Sequence, residues 1–376
     1  MFLKLLRQKL SYYGFPMGMD NPSTLTFSVT GMCQSNCKTC HIGQKFRCDP
    51  ESTRKKDLGI EQIEEIFISL GKIDFFNISG GEPFLRIDFP EIIELACKYL
   101  KPKIIHSPTN ALLSQKIASD VKKSLEIINR YNPKIQFTIK PSIDGVDKLH
   151  DEIRGVPGNF EKLKKTINLL KIIEKKNKNF HLELGTVVSV FNIDHLDEIE
   201  DWVHKQGIQS YRNEIAETRE EFFNIGENIT PEADVYEDLM KTFSRKIKEN
   251  IKGKRLYTKF TESLRLTYYE LVPKILREKK QVIPCYAGIT NVHINYDGQV
   301  WPCCVMGYRK PLGNLKENNF DFPKVWKSRQ AQKVRKYIRD KKCYCPLANQ
   351  SYSNILMSPS ALLKSSLNFL MFLVKR

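Results

Sequence analysis

A regular alternation of short β-rich runs and amphipathic helical runs over residues 21–212 most constrains the fold. Apolar residues between the candidate strands recur three or four positions apart, as at Ile60, Ile63 and Ile66. Repeated βα units predict a parallel sheet covered by helices. The predicted strands are residues 24–30, 74–79, 103–107, 135–140, 181–190 and 209–212. We therefore predict an α/β protein with a partial (β/α)6 TIM-like barrel, whose functional residues lie at the carboxyl ends of the strands.

The rest of the chain changes in composition twice. Residues 213–283 are rich in Lys and Glu and are punctuated by Pro231 and Pro273, which predicts a helical linker or insertion. Residues 284–347 contain five cysteines and the turn-like segment NYDGQV at 295–300, which is typical of a hairpin. This second segment is predicted to be a small separate domain.

Composition and charge limit the classes of function. Ten cysteines among 376 residues are too sparse for a disulfide scaffold, and the segment MFLKLLRQKL lacks the apolar stretch of a secretory signal. We therefore expect a cytoplasmic protein with thiols available as metal ligands. The formal net charge is +17, but lysines are spread along the whole chain, which indicates a solvated basic surface. An RNA-modifying enzyme would fit the charge, but no RNA-binding appendage is recognisable, so nucleic acid is not an expected partner.

Three cysteines, Cys33, Cys37 and Cys40, directly follow the first predicted strand in the segment CQSNCKTC. They are therefore expected in a loop at the carboxyl mouth of the barrel. A [4Fe-4S] cluster ordinarily takes four thiolates, one for each iron, so three local cysteines leave one iron with a free coordination position. The same cysteines with His41 could instead form a Cys3His zinc site.

The C-x3-C-x2-C loop resembles that of the radical S-adenosylmethionine (SAM) enzymes. The resemblance implies that the open iron binds the amino and carboxylate groups of SAM. It also implies that an electron, from a donor such as flavodoxin or ferredoxin, cleaves SAM to a 5′-deoxyadenosyl radical that removes hydrogen from an unactivated C–H bond. The residue before the last cysteine is often aromatic in this family and is Thr39 here, so adenine stacking is expected from a neighbour such as His41.

Three further segments resemble family motifs at successive strand ends. They are ISGGEPF at 78–84, SPTNALL at 107–113, with Ala111 where glycine is usual, and KPSIDGVDKLHDEIRGVPGNF at 140–160. Glycines lack Cβ atoms, so they let the main chain approach a ligand, and a glutamate offers a carboxylate to an ammonium group. The resemblance implies that Ser142 and Asp144 face the SAM ribose or the substrate, and that Arg154 contacts the SAM carboxylate. The implied SAM-binding residues are Gly80, Gly81, Glu82, Pro83, Asn110, Ser142, Asp144 and Arg154.

The cysteines of residues 284–347 are similar in arrangement to the SPASM and twitch domains, which hold auxiliary clusters in many radical SAM enzymes. A full SPASM domain holds two clusters with seven cysteines, so the five present here favour the shorter twitch type with one further [4Fe-4S] cluster. Its implied ligands are Cys285, Cys303, Cys343 and Cys345, with Cys304 as the alternative to Cys303. Adjacent side chains on an extended strand point to opposite faces, so one of that pair is expected to reach the cluster. A zinc ribbon is the alternative for this segment.

The terminal segments, residues 1–20 and 348–376, both combine basic and apolar residues. In the tail, Ser358 and Pro359 predict a helix start. The predicted apolar stripe is Leu363, Leu367, Leu370 and Val374, and the predicted basic residues are Lys364, Lys375 and Arg376. Two interpretations fit this pattern: a helix lying on an anionic membrane surface at the inner face, or a helix packed on the barrel as core.

The sequence thus predicts a radical SAM enzyme with two [4Fe-4S] clusters, acting on an unidentified substrate that is a lipid, another small molecule or a peptide. A peptide- or protein-modifying maturase of the same superfamily is the first alternative. A non-catalytic zinc or iron–sulfur protein is the second, and it would not need the motifs at successive strand ends. If the termini bind a membrane, a lipid or polyprenyl-linked substrate is favoured.

Overall fold

The computed structural model describes residues 2–13, 21–208 and 210–374; parts of the predicted N-terminal segment, with Lys375 and Arg376 of the tail, lie outside them. The strands are β1 Thr24–Ser28, β2 Phe75–Ser79, β3 Ile104–Thr109, β4 Gln136–Pro141, β5 Phe180–Val188, β6 Ser210–Ile215, β7 Asn291–Ile294, β8 Gln299–Trp301 and β9 Gly313–Asn314. The α-helices are α1 Phe2–Tyr12, α2 Ile42–Cys48, α3 Pro50–Lys56, α4 Ile60–Leu70, α5 Phe89–Leu95, α6 Ser114–Tyr131, α7 Lys148–Arg154, α8 Asn159–Lys176, α9 Leu196–Lys205, α10 Ala233–Glu249, α11 Leu256–Glu278, α12 Phe322–Trp326, α13 Arg329–Arg339, α14 Ala348–Met357 and α15 Pro359–Val374.

The described strands form one sheet in the order β6-β5-β4-β3-β2-β1-β7-β8-β9. Strands β1 to β6 are parallel, pair in chain order and are separated by helices, which confirms the predicted partial (β/α)6 barrel. Alternation along β4 puts Phe137 and Ile139 into the hydrophobic core, while Thr138 and Lys140 point to the other face. Because parallel strands end at the same edge, the loops after β1, β2, β3 and β4 lie together.

The sheet continues past the six predicted strands. Strand β7 pairs parallel to β1, with Thr24 opposite Asn291, and β7 and β8 form the antiparallel hairpin expected around residues 295–300. The cysteine-rich segment is therefore joined to the barrel through β1. Strand β6 also runs to Ile215, beyond the boundary expected at residue 212. The predicted division into domains at residues 212, 283 and 347 stays a prediction.

Helices α10 and α11 occupy most of residues 213–283. The expectation that Pro273 interrupts this segment is wrong, because Pro273 lies inside α11. Proline removes one backbone hydrogen bond and crowds the preceding turn. The neighbouring side chains of Tyr269, Val272 and Ile275 are buried, so tertiary packing offsets the local cost.

The last two helices, α14 and α15, meet at an angle of 94°. Among the described residues no single helix is both long enough and apolar enough to cross a bilayer, and only this bent pair reaches the required length and composition together. Helix α15 begins at Pro359, where the sequence predicted a helix start.

Candidate active site and cofactor sites

The three-cysteine loop follows β1 and is largely enclosed. Cys33 and Cys37 are buried, and Cys40 interacts electrostatically with both of them. Burial raises the pKa of Cys33 to about 11 and also raises the pKa of Cys37. Thiols in such a place become thiolates when a metal supplies compensating positive charge. The structure thus gathers the three predicted ligands in one loop with the donor chemistry of a metal cluster site.

The glycine pair after β2 packs its backbone directly against this loop. The amide of Gly81 donates to Thr30 O at 2.9 Å, and the amide of Glu82 donates to Met32 O at 2.8 Å. A Cβ atom on Gly81 would lie 2.1 Å from Met32 O. Gly80 has a φ of +134°, and a Cβ there would lie 2.5 Å from Thr30 O. Both positions therefore require glycine for the two loops to touch.

The end of α7 holds the other side of the cysteine loop. The amide of Asn36 donates to Arg154 O at 3.0 Å, and the amide of Lys38 donates to Ile153 O at 2.8 Å. Gly155 has a φ of +63°, and a Cβ there would lie 2.1 Å from Asn36 O. The loop is thus fixed between the ends of β2 and α7.

Substituting Gly81→Ala should displace the cysteine loop, because the added methyl group would overlap the backbone of Met32. We expect loss of the iron held at this loop, about half of the total if two [4Fe-4S] clusters are bound, together with loss of SAM cleavage. Iron quantification on anaerobically reconstituted protein checks this. The matched control is Gly59→Ala, where the nearest atom to an added Cβ is 3.6 Å away. Full iron content in Gly81→Ala would contradict the conclusion that the cysteine loop needs glycine at position 81.

Glu82 links the loops after β2 and β3. Its buried carboxylate accepts hydrogen bonds from Thr109 Oγ1 at 2.8 Å, from the Asn110 amide at 2.7 Å and from the Phe84 amide at 3.2 Å. Burial raises the pKa of Glu82, and these donors oppose the rise. The predicted contact with an ammonium group stays a prediction. Pro83 begins the short 3-10 helix that follows and is buried.

Arg154 is held by the carboxylate of Asp144. Its Nη1 donates to Asp144 Oδ2 at 3.1 Å, and both side chains are largely buried. Burial opposes the charge, but nearby Cys37 and Asp144 raise the pKa of Arg154. Its buried Nε has no partner among the described residues. An unsatisfied donor beside Cys37 suits an anionic group such as a carboxylate, while Asp144 serves to position Arg154.

Asn110 and Ser142 lie at the ends of the next two strands. Asn110 Nδ2 donates to Ser35 Oγ of the cysteine loop at 3.0 Å. The amide of Ser142 donates to Thr109 O at 3.0 Å, and its side chain is half-buried. Ala111 has a φ of +62°, which explains physically why glycine is usual at this position. The strand-end residues are therefore brought together, while their contacts with SAM stay predictions.

His41 is already engaged by another part of the chain. Its Nε2 lies 2.5 Å from Glu227 Oε1, and its amide donates to Phe222 O at 2.8 Å. Asn224 Nδ2 also donates to Thr39 O at 2.8 Å. The segment after β6 thus packs on the cysteine loop, a contact that the sequence did not reveal. Stacking of His41 on adenine stays a prediction.

Four C-terminal cysteines line one cleft, here called the auxiliary cysteine cleft. They are Cys285, Cys303, Cys343 and Cys345. Burial raises the pKa of Cys285 to about 11 and raises the pKa of Cys303 well above its usual value. Cys304 does not line this cleft, so Cys303 rather than Cys304 lies with the other three.

Cys304 faces a second cavity, here called the central cleft, which also contains Glu221 and His293. One ligand atom from each of these residues lies within 4.8 Å of the others, a set that could hold a metal ion. However, Arg219 Nη1 donates to Cys304 Sγ at 3.3 Å, and this positive charge opposes a cation there. Burial, with a contribution from Arg219, lowers the pKa of His293 to about 3, so its imidazole is neutral. His293 Nε2 lies 2.8 Å from Ser28 Oγ at the end of β1.

The central cleft borders two other clefts, one beside the glycine pair and the other the auxiliary cysteine cleft. Glu221 lines the central cleft and also the cleft beside Gly80 and Gly81. Cys303 lines both the central cleft and the auxiliary cysteine cleft. Sequence reasoning missed Arg219, Glu221 and His293. The rule that functional residues follow strands would have found the first two if β6 had been extended to its true end.

The barrel lumen beneath these clefts is polar. Lys140 Nζ lies 3.0 Å from Glu214 Oε1, and Arg212 Nε lies 3.0 Å from Glu183 Oε2. Against the effect of burial, Arg212 and Lys140 lower the pKa of Glu183 to about 2, while burial lowers the pKa of His106 to about 4. The lumen therefore presents paired charges and a neutral imidazole, an environment suited to a hydrogen-bonding ligand.

Comparison with protein families decides the classification. A family model described as the radical SAM superfamily matches residues 27–203, and one described as an iron-sulfur cluster-binding domain, SPASM, matches residues 285–346. The chain belongs to the radical SAM superfamily. This radical SAM enzyme binds SAM and a [4Fe-4S] cluster in its first domain and auxiliary iron–sulfur in its SPASM domain. The predicted resemblance to radical SAM enzymes with a SPASM/twitch-type domain is thereby confirmed.

Two individual proteins are similar to this chain over most of its length. The antilisterial bacteriocin subtilosin biosynthesis protein AlbA of Bacillus subtilis (strain 168) is 27% identical over 350 residues, or 89% of this chain and 66% of that protein. An AdoMet-dependent heme synthase of Oleidesulfovibrio alaskensis is 24% identical, covering 86% of this chain and 80% of that one. The chain thus spans slightly less than two thirds of the AlbA length.

Two solved structures share the fold. The structure of anSMEcpe with bound AdoMet superimposes with a TM-score of 0.56 at 18% identity, covering 93% of this chain and 96% of that one. Streptococcus suis SuiB bound to precursor peptide SuiA gives a TM-score of 0.57 at 19% identity, covering 84% of this chain and 66% of that one. At these identities the likeness concerns the fold.

Proposed function

We propose that this enzyme removes a hydrogen atom from an unactivated C–H bond of a substrate bound in the central cleft. Bound SAM and its cluster supply the carbon radical for this step. The observation that carries the proposal is the position of the central cleft, which adjoins the glycine pair through Glu221 and the auxiliary cysteine cleft through Cys303. A substrate there would lie beside both cofactor sites.

Residues of this chain would hold the two clusters and SAM in place. We assign Cys33, Cys37 and Cys40 to the SAM-binding cluster. The Gly80–Gly81 backbone would approach SAM closely, and the unpartnered Nε of Arg154 would donate to its carboxylate. We assign Cys285, Cys303, Cys343 and Cys345 as the residues that would hold an auxiliary cluster, which would supply electron transfer; Cys303 also lines the central cleft.

A peptide is the substrate class best supported by the central cleft. Its wall offers a guanidinium, a carboxyl and a neutral imidazole from Arg219, Glu221 and His293, which suit amide and polar side-chain groups. The names of AlbA and of the SuiB–SuiA complex refer to bacteriocin biosynthesis and to a precursor peptide, which supports the same class. A lipid-linked substrate is the second candidate, favoured by the exposed apolar side chains of α15.

Hydrogen abstraction can be followed by the mass of the 5′-deoxyadenosine formed. Reduced holoenzyme would be incubated with SAM and either a pool of perdeuterated peptides or a perdeuterated polar lipid extract. We expect 5′-deoxyadenosine one mass unit heavier in the peptide arm. A heavier product only in the lipid arm would transfer the proposal to the second candidate, and unlabelled product in both arms would contradict both.

The variant His293→Gln tests the central cleft itself. We expect deuterium transfer from substrate to fall about 10- to 100-fold, because a buried hydrogen-bonding partner is changed, while SAM cleavage without substrate persists. The exposed His195→Gln variant is the matched control. If substrate-free SAM cleavage and deuterium transfer fell equally, this would contradict a role of His293 that is confined to binding the substrate.

The compartment and the electron donor are the remaining parts of the proposal. The ten cysteines all lie among the described residues and form no disulfide, which is consistent with a reducing compartment such as the cytoplasm. We infer that flavodoxin or ferredoxin supplies the electron for SAM cleavage. Replacing a chemical reductant with purified flavodoxin and its reductase in the cleavage assay tests this inference.

A further inference from the structure

Helix α15 is attached to the protein by its less apolar face. The residues of α15 that are buried are Ala361, Ser365 and Phe372. Ser365 Oγ lies 2.7 Å from Thr267 Oγ1 of α11, and Phe372 joins a small apolar cluster with Ile251. At 100° per residue these three positions fall on one side of the helix. The helix is therefore docked through Ser365, Phe372 and Phe369, whose ring contacts Phe260 of α11. The predicted basic residue Lys364 forms an ion pair with Glu270 of α11.

The opposite side of α15 exposes an apolar stripe. Leu363, Leu367, Leu370 and Val374 are 63%, 58%, 55% and 83% exposed. Their spacing puts them on one face, directly opposite the buried residues. Leu362, Met371 and Leu373 flank the stripe and are also exposed. A surface helix normally turns its apolar face to the core, so this orientation leaves a large apolar patch that needs a partner.

A basic loop adjoins the carboxyl end of this stripe. Residues 252–256 read KGKRL and are all exposed; the first four lie between α10 and α11, and Leu256 is the first residue of α11. Ile251 packs on Phe372, which fixes the loop next to the end of α15. None of the ion pairs among the described residues involves Lys252, Lys254 or Arg255. Helix α15 contains no acidic residue, so the patch combines exposed leucines with free positive charge.

We propose that the α15 stripe and residues 252–256 form a docking surface for an anionic lipid bilayer. The helix would lie in the plane of the membrane, with its leucines among the acyl chains and the lysines at the lipid phosphates. Charge favours this occupant over a second copy of the chain, because each copy carries a net charge of +17. The predicted stripe of the tail thus faces outward rather than into the core. This surface is independent of the proposed reaction.

Flotation of the full-length holoenzyme with vesicles tests the proposal. We expect binding to vesicles of equal parts phosphatidylcholine and phosphatidylglycerol, and much weaker binding to pure phosphatidylcholine. The double variant Leu363→Ser, Leu370→Ser should weaken binding more than about tenfold, because two leucine side chains would no longer be buried among the acyl chains. The double variant Lys252→Gln, Lys254→Gln should weaken binding by roughly 25-fold, since each basic residue near the surface contributes about fivefold.

The control is Ile87→Ser, an isolated apolar residue that is 89% exposed and lies between β2 and α5. It should bind vesicles like the unaltered protein. Iron content and substrate-free SAM cleavage should be unchanged in every variant, which separates failure of this surface from failure of the proposed reaction. The proposal is overturned if the unaltered protein stays with the unbound fraction, or if both double variants float normally. A dimer in solution that the leucine variant dissociates, without vesicle binding, would identify a second copy as the occupant instead.

Discussion

Replacing Cys33, Cys37 and Cys40 together by alanine will abolish SAM cleavage and remove about half of the iron, because one of two [4Fe-4S] clusters loses all its protein ligands. The effect on cleavage should be complete. Without the cluster, the chain has no iron position for SAM. 5′-Deoxyadenosine is measured by mass spectrometry after anaerobic reduction, and iron and sulfide are measured on the same sample.

The control for the triple variant is Cys48→Ala, because Cys48 is exposed and lies outside both cysteine sites. It should retain full iron and full cleavage. Loss of all iron in the triple variant would show that the two sites are not independent. Retention of cleavage would show that the three cysteines do not hold the SAM-binding cluster.

The adjacent cysteines Cys303 and Cys304 should respond in opposite ways. Cys303→Ala should lose much of the auxiliary iron, because Cys303 lies with Cys285, Cys343 and Cys345 in one cleft. Cys304→Ala should keep the iron, because Cys304 faces the central cleft and accepts a hydrogen bond from Arg219. Both variants should still cleave SAM without substrate, because the first cysteine loop is untouched.

Iron quantification and the absorbance of the oxidised clusters distinguish this pair. The two variants are matched, since each removes one thiol from the same turn of chain. If Cys304→Ala loses the auxiliary iron and Cys303→Ala keeps it, the assignment of ligands is reversed. If both keep it, the auxiliary cleft does not hold a cluster through either residue.

Much of the fold could be predicted because local chemistry and topology agree. Short β-rich runs alternate with amphipathic helical runs over residues 21–212, so the positions of the six barrel strands follow from this alternation. Gly80 and Gly81 were identified from a motif, and the structure gives the physical reason: a side chain at either position would collide with the cysteine loop. The pair Arg154 and Asp144 was found in the same way, although their mutual hydrogen bond was not foreseen.

Other features depend on long-range packing that a single sequence does not display. Strand β7 pairs with β1 across about 270 residues of chain, so His293 could not be placed in the barrel from its neighbours. Pro273 stays helical because buried neighbours on α11 hold the helix in place. The direction of the α15 stripe was open for the same reason: periodicity defines a face but not what the face contacts.

The most direct test is electron paramagnetic resonance of the reduced, anaerobically reconstituted full-length enzyme, recorded with and without SAM. An iron with a free coordination position should bind SAM, so the signal of one cluster should change on its addition while that of the auxiliary cluster stays the same. The triple variant lacking Cys33, Cys37 and Cys40 should show only the unchanged signal. A protein that contains zinc instead of iron, or whose iron signals are all indifferent to SAM, would contradict the assignment of this loop as the SAM-binding site.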